Sequence, residues 1–181
     1  MHSICLYCGA RSGRNPAIIA AAQEFGMLVA AENWRLVYGA GDTGLMGKAA
    51  QAANDNSGTV FGVIPQHLVD QEVAKTDLSS LVITESMHER KKVMFMNSDA
   101  AVALPGGLGT LDEFFEIITW RQLSIHDKPV ILLNCEHYWE PLLRLIDKLI
   151  TEGFADADIW NLFSLVESPE EAVAKLRILL S

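Results

Sequence analysis

The stretch Pro105-Gly106-Gly107-Leu108-Gly109-Thr110-Leu111-Asp112-Glu113 carries the densest chemistry in the chain. It follows an almost wholly apolar run, Asp99 to Leu104, and leads into a helical pattern from Thr110 to Leu123. Three glycines at a strand-to-helix junction expose backbone N–H groups at a helix N-terminus. There the dipole and the unpaired donors favour an anion such as phosphate. Thr110 adds a hydroxyl. A tight turn alone needs only one glycine. No Gly-Lys-Ser/Thr follows, so this is not the triphosphate-binding Walker loop. Glu113 lies about one turn into the helix, and helical side chains tilt toward the N-terminus. Its carboxylate is expected to lean back over the loop, where it could bond ribose hydroxyls or act as acid or base. Asp112 and Glu116 read as complements to the helix dipole, Glu116 in a solvated or supporting role.

A second group is His88-Glu89-Arg90-Lys91-Lys92, in a helix opened by Ser86, with Ser86 and Glu89 at capping-box spacing. Cations in a first turn oppose the dipole by ~0.3–1 kcal/mol each. Arg90 and Lys91 are therefore better explained by an anionic ligand or a carboxylate partner, Lys92 by a solvated face, and His88 as a surface histidine. Two more glycine loops follow strands. In Cys8-Gly9-Ala10-Arg11-Ser12-Gly13, the small residues admit a ligand and Arg11 and Ser12 could donate to phosphate. In the next loop, Gly39, Gly41 and Gly44 match G-x-G-x-x-G. A dinucleotide site also needs an acidic residue at the end of the following strand, and Val60 to Gln66 holds none. A glycine-lined floor for a mononucleotide is the simpler reading. Cys5 and Cys8 lie in one strand, where residues three apart face opposite sides. They read as core thiols rather than a redox pair.

The elements that must hold these groups alternate along the chain. Strands are expected at Ile4–Cys8, Arg35–Tyr38, Thr59–Ile64, Leu81–Thr84, Asp99–Leu104, Pro129–Leu133 and Phe163–Val166. Helices are expected at Pro16–Ala31 with Asn15 as N-cap, Leu45–Ala53, from Ser86, at Thr110–Leu123, Trp139–Ile150, and Pro169–Leu180 with Ser168 as N-cap. Met94 and Met96 read as core; Trp34, Trp120, Trp139 and Trp160 as core or interface. Continuous apolar strands such as Val130-Ile131-Leu132-Leu133 are those covered by helices on both faces. The fold class is α/β, a doubly wound, Rossmann-like parallel sheet in a single domain over residues 1–181. Ligands in such folds sit outside the carboxyl ends of the strands.

Composition excludes several alternatives. Of the 181 residues 50% are hydrophobic, which argues against disorder. Fourteen Lys and Arg against 23 Asp and Glu leave a formal charge of -9, opposite in sign to a nucleic-acid binder. No apolar run approaches the ~18 residues of a membrane span. The first residues lack the basic start and apolar core of a signal peptide, and the three cysteines are too few for a disulfide framework. A cytoplasmic protein bound to neither nucleic acid nor membrane is expected.

Taken together, the motifs resemble one family. Pro105 to Glu113 is similar to the P-G-G-x-G-T-x-x-E signature of the LONELY GUY (LOG) family, cytokinin riboside 5′-monophosphate phosphoribohydrolases long mislabelled lysine decarboxylases. Arg90-Lys91 and Gly44-Leu45-Met46-Gly47 match further motifs. The likeness continues through Ile117-Ile118-Thr119-Trp120 and Ile125-His126-Asp127-Lys128-Pro129. The resemblance implies a Rossmann-like homodimer without cofactor or metal. It would cleave a nucleoside 5′-monophosphate to free base and ribose 5-phosphate. It makes Arg90 and Glu113 the catalytic pair. It places substrate contacts at Glu72, Arg90, Lys91, Gly106, Gly107, Leu108, Gly109, Thr110, Leu111, Asp112 and Thr119, with Gly9 and Gly41 added from the other glycine loops. The chain has Gly9-Ala10 where the family often has Gly-Ser, and Gly39-Ala40-Gly41 where it often has three glycines; the preferred base stays open. The alternative is a non-catalytic nucleotide or molybdenum-cofactor carrier, which shares the glycine-loop scaffold but has no need of Glu113. A pyridoxal phosphate decarboxylase would need a Schiff-base lysine and a pyridinium partner, and nothing in the sequence suggests that pair.

Overall fold

The chain crosses one parallel sheet outward from the centre, returns, and then crosses the other half. The computed structural model describes residues 1–69 and 79–181. The strands are β1 (Ser3–Tyr7), β2 (Arg35–Tyr38), β3 (Thr59–Pro65), β4 (Ser80–Thr84), β5 (Ala100–Ala103), β6 (Val130–Leu133) and β7 (Ser164–Val166). They lie in the order β4-β3-β2-β1-β5-β6-β7, every neighbouring pair parallel. The helices are α1 (Pro16–Ala31), α2 (Gly44–Asp55), α3 (Gln66–Val69), α4 (Met87–Met96), α5 (Leu108–Gln122), α6 (Glu140–Thr151) and α7 (Pro169–Leu179). The order of travel reverses between β1 and β5. The loops leaving these two strands diverge there and open the crevice in which such sheets bind ligands.

Alternating side chains on the strands build two cores. Ile4, Leu6 and Cys8 face one side, with Phe25 and Val29 of α1, Ala49 and Ala50 of α2 and Val173 of α7. Cys5 and Tyr7 face the other, with Met94 of α4, Phe114 and Ile117 of α5 and Ile146 of α6. The two cysteines thus sit on opposite faces, as their spacing requires. Burial pushes the Cys5 thiol up to about 12 and Cys8 well above its ordinary value, so neither is a ready thiolate.

The helix starts follow local chemistry. Asn15 accepts from the Ala17 N–H ahead of α1, Ser86 from Glu89 ahead of α4, and Ser168 from Glu171 ahead of α7. Three expectations need correction. Helix α5 begins at Leu108, two residues early, because Gly107 is its N-cap. The short helix α3 and the 3₁₀ turns Cys135–His137 and Ala157–Asn161 carry no apolar period and were not anticipated. Met96 is 67% exposed rather than core. It lies two residues past buried Met94, on the far side of a helix that turns about 100° per residue.

Ser168→Ala is expected to lower stability by about 1 kcal/mol, the usual worth of such a cap. A urea titration checks it. Helix α7 is remote from the crevice, so ligand binding should not change.

Candidate active site at the switch point

Backbone hydrogen bonds knit the three glycine loops together. The Gly9 N–H donates to the Pro105 carbonyl at 3.0 Å, and the Leu45 N–H donates to the Gly9 carbonyl at 3.0 Å. The β1 loop is therefore the middle member, with the β2 loop on one side and the β5 loop on the other. Above them lies a cleft of about 580 Å³, lined by Gly9 to Gly13, Gly39, Met46, Met87, Arg90, Gly106 to Thr110, Asp112, Glu113 and Tyr138. That volume suits a ligand of nucleotide size. A larger groove of about 790 Å³ runs between α1 and α2, but neither Arg90, Glu113 nor any residue of the β5 loop lines it.

Arg90 is 5% exposed and its guanidinium is already committed. Its Nε donates to the Val63 carbonyl at 3.1 Å and its Nη2 to the Gly39 carbonyl at 2.7 Å. A Cβ built on Gly39 would stand 1.9 Å from Nη2, so only glycine leaves room for this insertion. Arg90 is thus a fixed positive charge at the carboxyl ends of β2 and β3, not a mobile arm. Ala40, beside it, is fully buried at φ 59°, a left-handed conformation in the position where the resemblance has glycine. Such a conformation costs a residue with a Cβ roughly 1–2 kcal/mol.

Glu113 reaches the cleft from α5, as its place one turn into the helix predicts. Burial is the main influence on it and lifts its carboxyl pKa from 4.5 to about 7. Arg90 pulls the other way, with a smaller pull from Lys91, while Asp112 and Glu116 add to the rise. Near neutral pH the group is therefore close to half-ionised. Lys91 takes the carboxylate option foreseen for it. Its Nζ pairs with Asp112 at 2.9 Å and Glu116 at 3.1 Å. Burial opposes its charge, but the two carboxylates outweigh that and raise its pKa. It does not line the cleft.

The β5 loop has open donors. Among the described residues, no acceptor engages the N–H groups of Gly107, Leu108 or Gly109. A Cβ on Gly107 or Gly109 would meet no protein atom within 4 Å. Internal packing therefore does not require glycine there, whereas close approach of a ligand to the backbone would. Among the described residues no group of three His, Cys, Asp or Glu is placed to hold a metal ion.

Comparison with known proteins shows the family. A profile of the family described as "Possible lysine decarboxylase" matches residues 46–176. A probable cytokinin riboside 5′-monophosphate phosphoribohydrolase of Oryza sativa subsp. japonica is 44% identical over 176 residues, 97% of this chain and 76% of the relative. A cytokinin riboside 5′-monophosphate phosphoribohydrolase of Arabidopsis thaliana is 43% identical over 173 residues, 96% and 81% of the two chains. The chain belongs to the LOG family. Among solved structures, the molybdenum cofactor binding protein of Rippkaea orientalis superposes with a TM-score of 0.74 at 25% identity. The match covers 99% of this chain and 98% of that one.

Of the residues expected from the LOG resemblance, the structure gathers Gly9, Arg90, Gly106, Gly107, Leu108, Gly109, Thr110, Asp112 and Glu113 around one cleft. It does not bring four others there. Gly41 is buried in the β2 loop, beyond the cleft lining. Leu111 packs against the α5-side core. Lys91 faces its two carboxylates, and Thr119 is exposed farther along α5. Glu72 lies outside the described residues. Tyr138, which no sequence motif marks, joins the cleft from the turn after β6, and its hydroxyl donates to the Gly106 carbonyl at 2.6 Å.

The raised Glu113 pKa has a consequence for stability. The native group resists ionisation, so its own contribution to stability is fully present below about 4.5 and is lost as pH rises through about 7. Glu113→Gln does not titrate. It should melt at a higher temperature than the wild type at pH 8 and at nearly the same temperature at pH 4.5. Thermal scans at both pH values check this.

Proposed function

We propose that this LOG-family protein hydrolyses the N-glycosidic bond of nucleoside 5′-monophosphates, cytokinin riboside 5′-monophosphates among them, to the free base and ribose 5-phosphate. One observation carries the reading: a half-buried carboxylate, Glu113, shares a nucleotide-sized cleft with a row of open N–H donors and a fixed guanidinium. The relatives named for this activity match over nearly the whole chain.

In this reading the 5′-phosphate rests on the N-terminus of α5, against Gly107, Leu108, Gly109 and the Thr110 hydroxyl. Cleavage breaks the bond between the ribose C1′ and the base nitrogen and develops positive charge on the sugar. Water supplies a hydroxyl to C1′ and a proton to the departing base. Ionised Glu113 stabilises the sugar cation or takes the proton from water; either role needs the carboxylate. Arg90, held by two carbonyls, keeps that carboxylate ionisable near neutrality. Lys91 acts one step away, fixing Asp112 and Glu116 along α5. The anchored phosphate lets binding energy from a non-reacting group position the sugar.

Pyridoxal phosphate chemistry does not fit the site. Among the described residues no lysine lines the cleft, and Lys91 is engaged by two carboxylates. The carrier reading rests on the fold shared with the Rippkaea orientalis protein. A carrier of an anionic ligand would use the N–H donors but has no need of the Glu113 carboxylate. We further propose a cytoplasmic homodimer that binds neither nucleic acid nor membrane. Its support is an apolar patch at the carboxyl ends of α4 and α5. There Leu123 is 65% and Ile125 62% exposed, beside the Phe95–Trp120 ring contact. The exposed Thr119 would then face the partner. Among the described residues no helix is long and apolar enough to cross a membrane.

A ribose 5-phosphate release assay with AMP, isopentenyladenosine 5′-monophosphate and the other common monophosphates tests the activity. Glu113→Gln is expected to lose about 10²–10⁴-fold in rate. Wild-type kcat/KM should rise with pH and level off above about 7 as Glu113 ionises. Arg90→Gln should move that limb to higher pH, because it removes the charge that opposes the rise. Nucleotide binding without release from any substrate would favour the carrier. Leu123→Glu should convert a dimer to a monomer in sedimentation, and a monomeric wild type would remove the dimer.

A further inference from the structure

We infer that Tyr138 is a positioning residue that aims the anion cradle, a reading that rests on the phosphate placement proposed above. Three successive carbonyls of the β5 loop each point at a donor within the chain. Pro105 O accepts from the Gly9 N–H at 3.0 Å, Gly106 O from the Tyr138 hydroxyl at 2.6 Å, and Gly107 O from the Leu111 N–H at 3.1 Å. The first and third donors are backbone groups, supplied by the sheet and by the helix. The middle carbonyl alone depends on a side chain.

No peptide bond among the described residues is cis. In a trans peptide the carbonyl of one residue and the N–H of the next point in opposite directions. Tyr138 follows β6, on the far side of the β5 loop from β1. Drawing the Gly106 carbonyl toward Tyr138, at the rim of the cleft, turns the Gly107 N–H the other way, where no acceptor of the described residues meets it. This peptide joins two glycines: Gly106 is packed against Thr110 and Gly9, but a Cβ on Gly107 would touch nothing, so on its Gly107 side sterics hold the peptide only weakly. Were the peptide to flip, a carbonyl oxygen would replace an N–H in front of the phosphate, turning attraction into repulsion. The hydroxyl of Tyr138 is the latch against that flip. Its ring, 41% exposed, sits edge-on to buried Trp139 at 4.8 Å between centroids. Removing the hydroxyl therefore leaves the ring's own packing in place.

The test compares wild type, Tyr138→Phe and Tyr138→Ala by calorimetric titration with AMP, ribose 5-phosphate and adenosine, alongside turnover of AMP or the best monophosphate found. Tyr138→Phe should weaken AMP and ribose 5-phosphate by about tenfold and leave adenosine within twofold. It should raise KM by a similar factor with kcat within about threefold. Its melting temperature should stay within a few degrees of wild type. Tyr138→Ala should lose at least as much affinity for the phosphate-bearing ligands. Unchanged affinity of Tyr138→Phe for both phosphate ligands would overturn the inference. So would an equal loss for adenosine, which marks general damage to the cleft. A wild type that binds neither phosphate ligand would remove the cradle itself and the inference with it. A wild type that binds AMP through Tyr138 yet releases no ribose 5-phosphate would end the hydrolase reading and leave the latch standing.

Discussion

Burial of the Arg90 guanidinium is the constraint around which the site is organised. An isolated charge removed from water is costly, and a cation in such surroundings must find fixed partners. Here they are two backbone carbonyls, Gly39 O and Val63 O, at the carboxyl ends of adjacent strands. Neutral acceptors satisfy its hydrogen bonds without cancelling its charge. The positive field is left for Glu113, the cleft carboxyl whose pKa burial raises to about 7. Several otherwise unrelated features follow. Gly39 must lack a side chain, α4 must present its first turns to the sheet, and cations must stand where the helix dipole disfavours them. Stability is given up locally to hold a charge in place, as is common where function sets the geometry.

Much of this was legible in the sequence, for reasons that can be stated. The order of strands and helices could be read because apolar runs are punctuated by Gly and Pro. The start of α1 could be placed to the residue because Asn15-Pro16 is both a cap and a first helical position. Arg90 and Lys91 could be flagged because their charge is wrong for a helix start. Their partners could not be assigned, since Val63, Gly39, Asp112 and Glu116 are remote in sequence and only the fold makes them neighbours. Tyr138 left no signal at all. It follows two consecutive left-handed residues, Glu136 at φ 55° and His137 at φ 54°; histidine is among the types enriched there, but glutamate is not, and the chain has no glycine or asparagine at either position to announce the turn. That turn delivers the hydroxyl to Gly106, and no periodicity or motif marks it.

The same logic applies to Met96, expected as core, and to Thr119, expected as a substrate contact. Both lie on outward faces of helices whose inward faces are filled, Met94 on α4 and Ile117 and Ile118 on α5. A lone apolar residue can be sorted as core or surface only once the helix phase is known. Where a solvent-facing phase collects several apolar side chains, it marks a surface that a partner could cover.

The charge balance indicates how an acidic protein can recognise a dianion. The chain carries a formal -9, so at long range it repels a nucleoside monophosphate. At physiological salt that repulsion fades over about 8 Å. Attraction must then come from groups in contact with the phosphate, where screening is weak. Lysine side chains would serve poorly, since nearby carboxylates would compete for them, as Asp112 and Glu116 do for buried Lys91. Backbone N–H groups cannot be neutralised in this way, and a helix terminus supplies them already oriented. Glu113 fits the same scheme. With its pKa raised to about 7 by burial, both its charged and neutral forms are within reach near neutrality, so it opposes an anion less than a permanently ionised carboxylate would. Glycines in the β5 loop, a captive arginine and a carboxylate of adjustable charge therefore form one electrostatic arrangement, each placed where the other two leave a need.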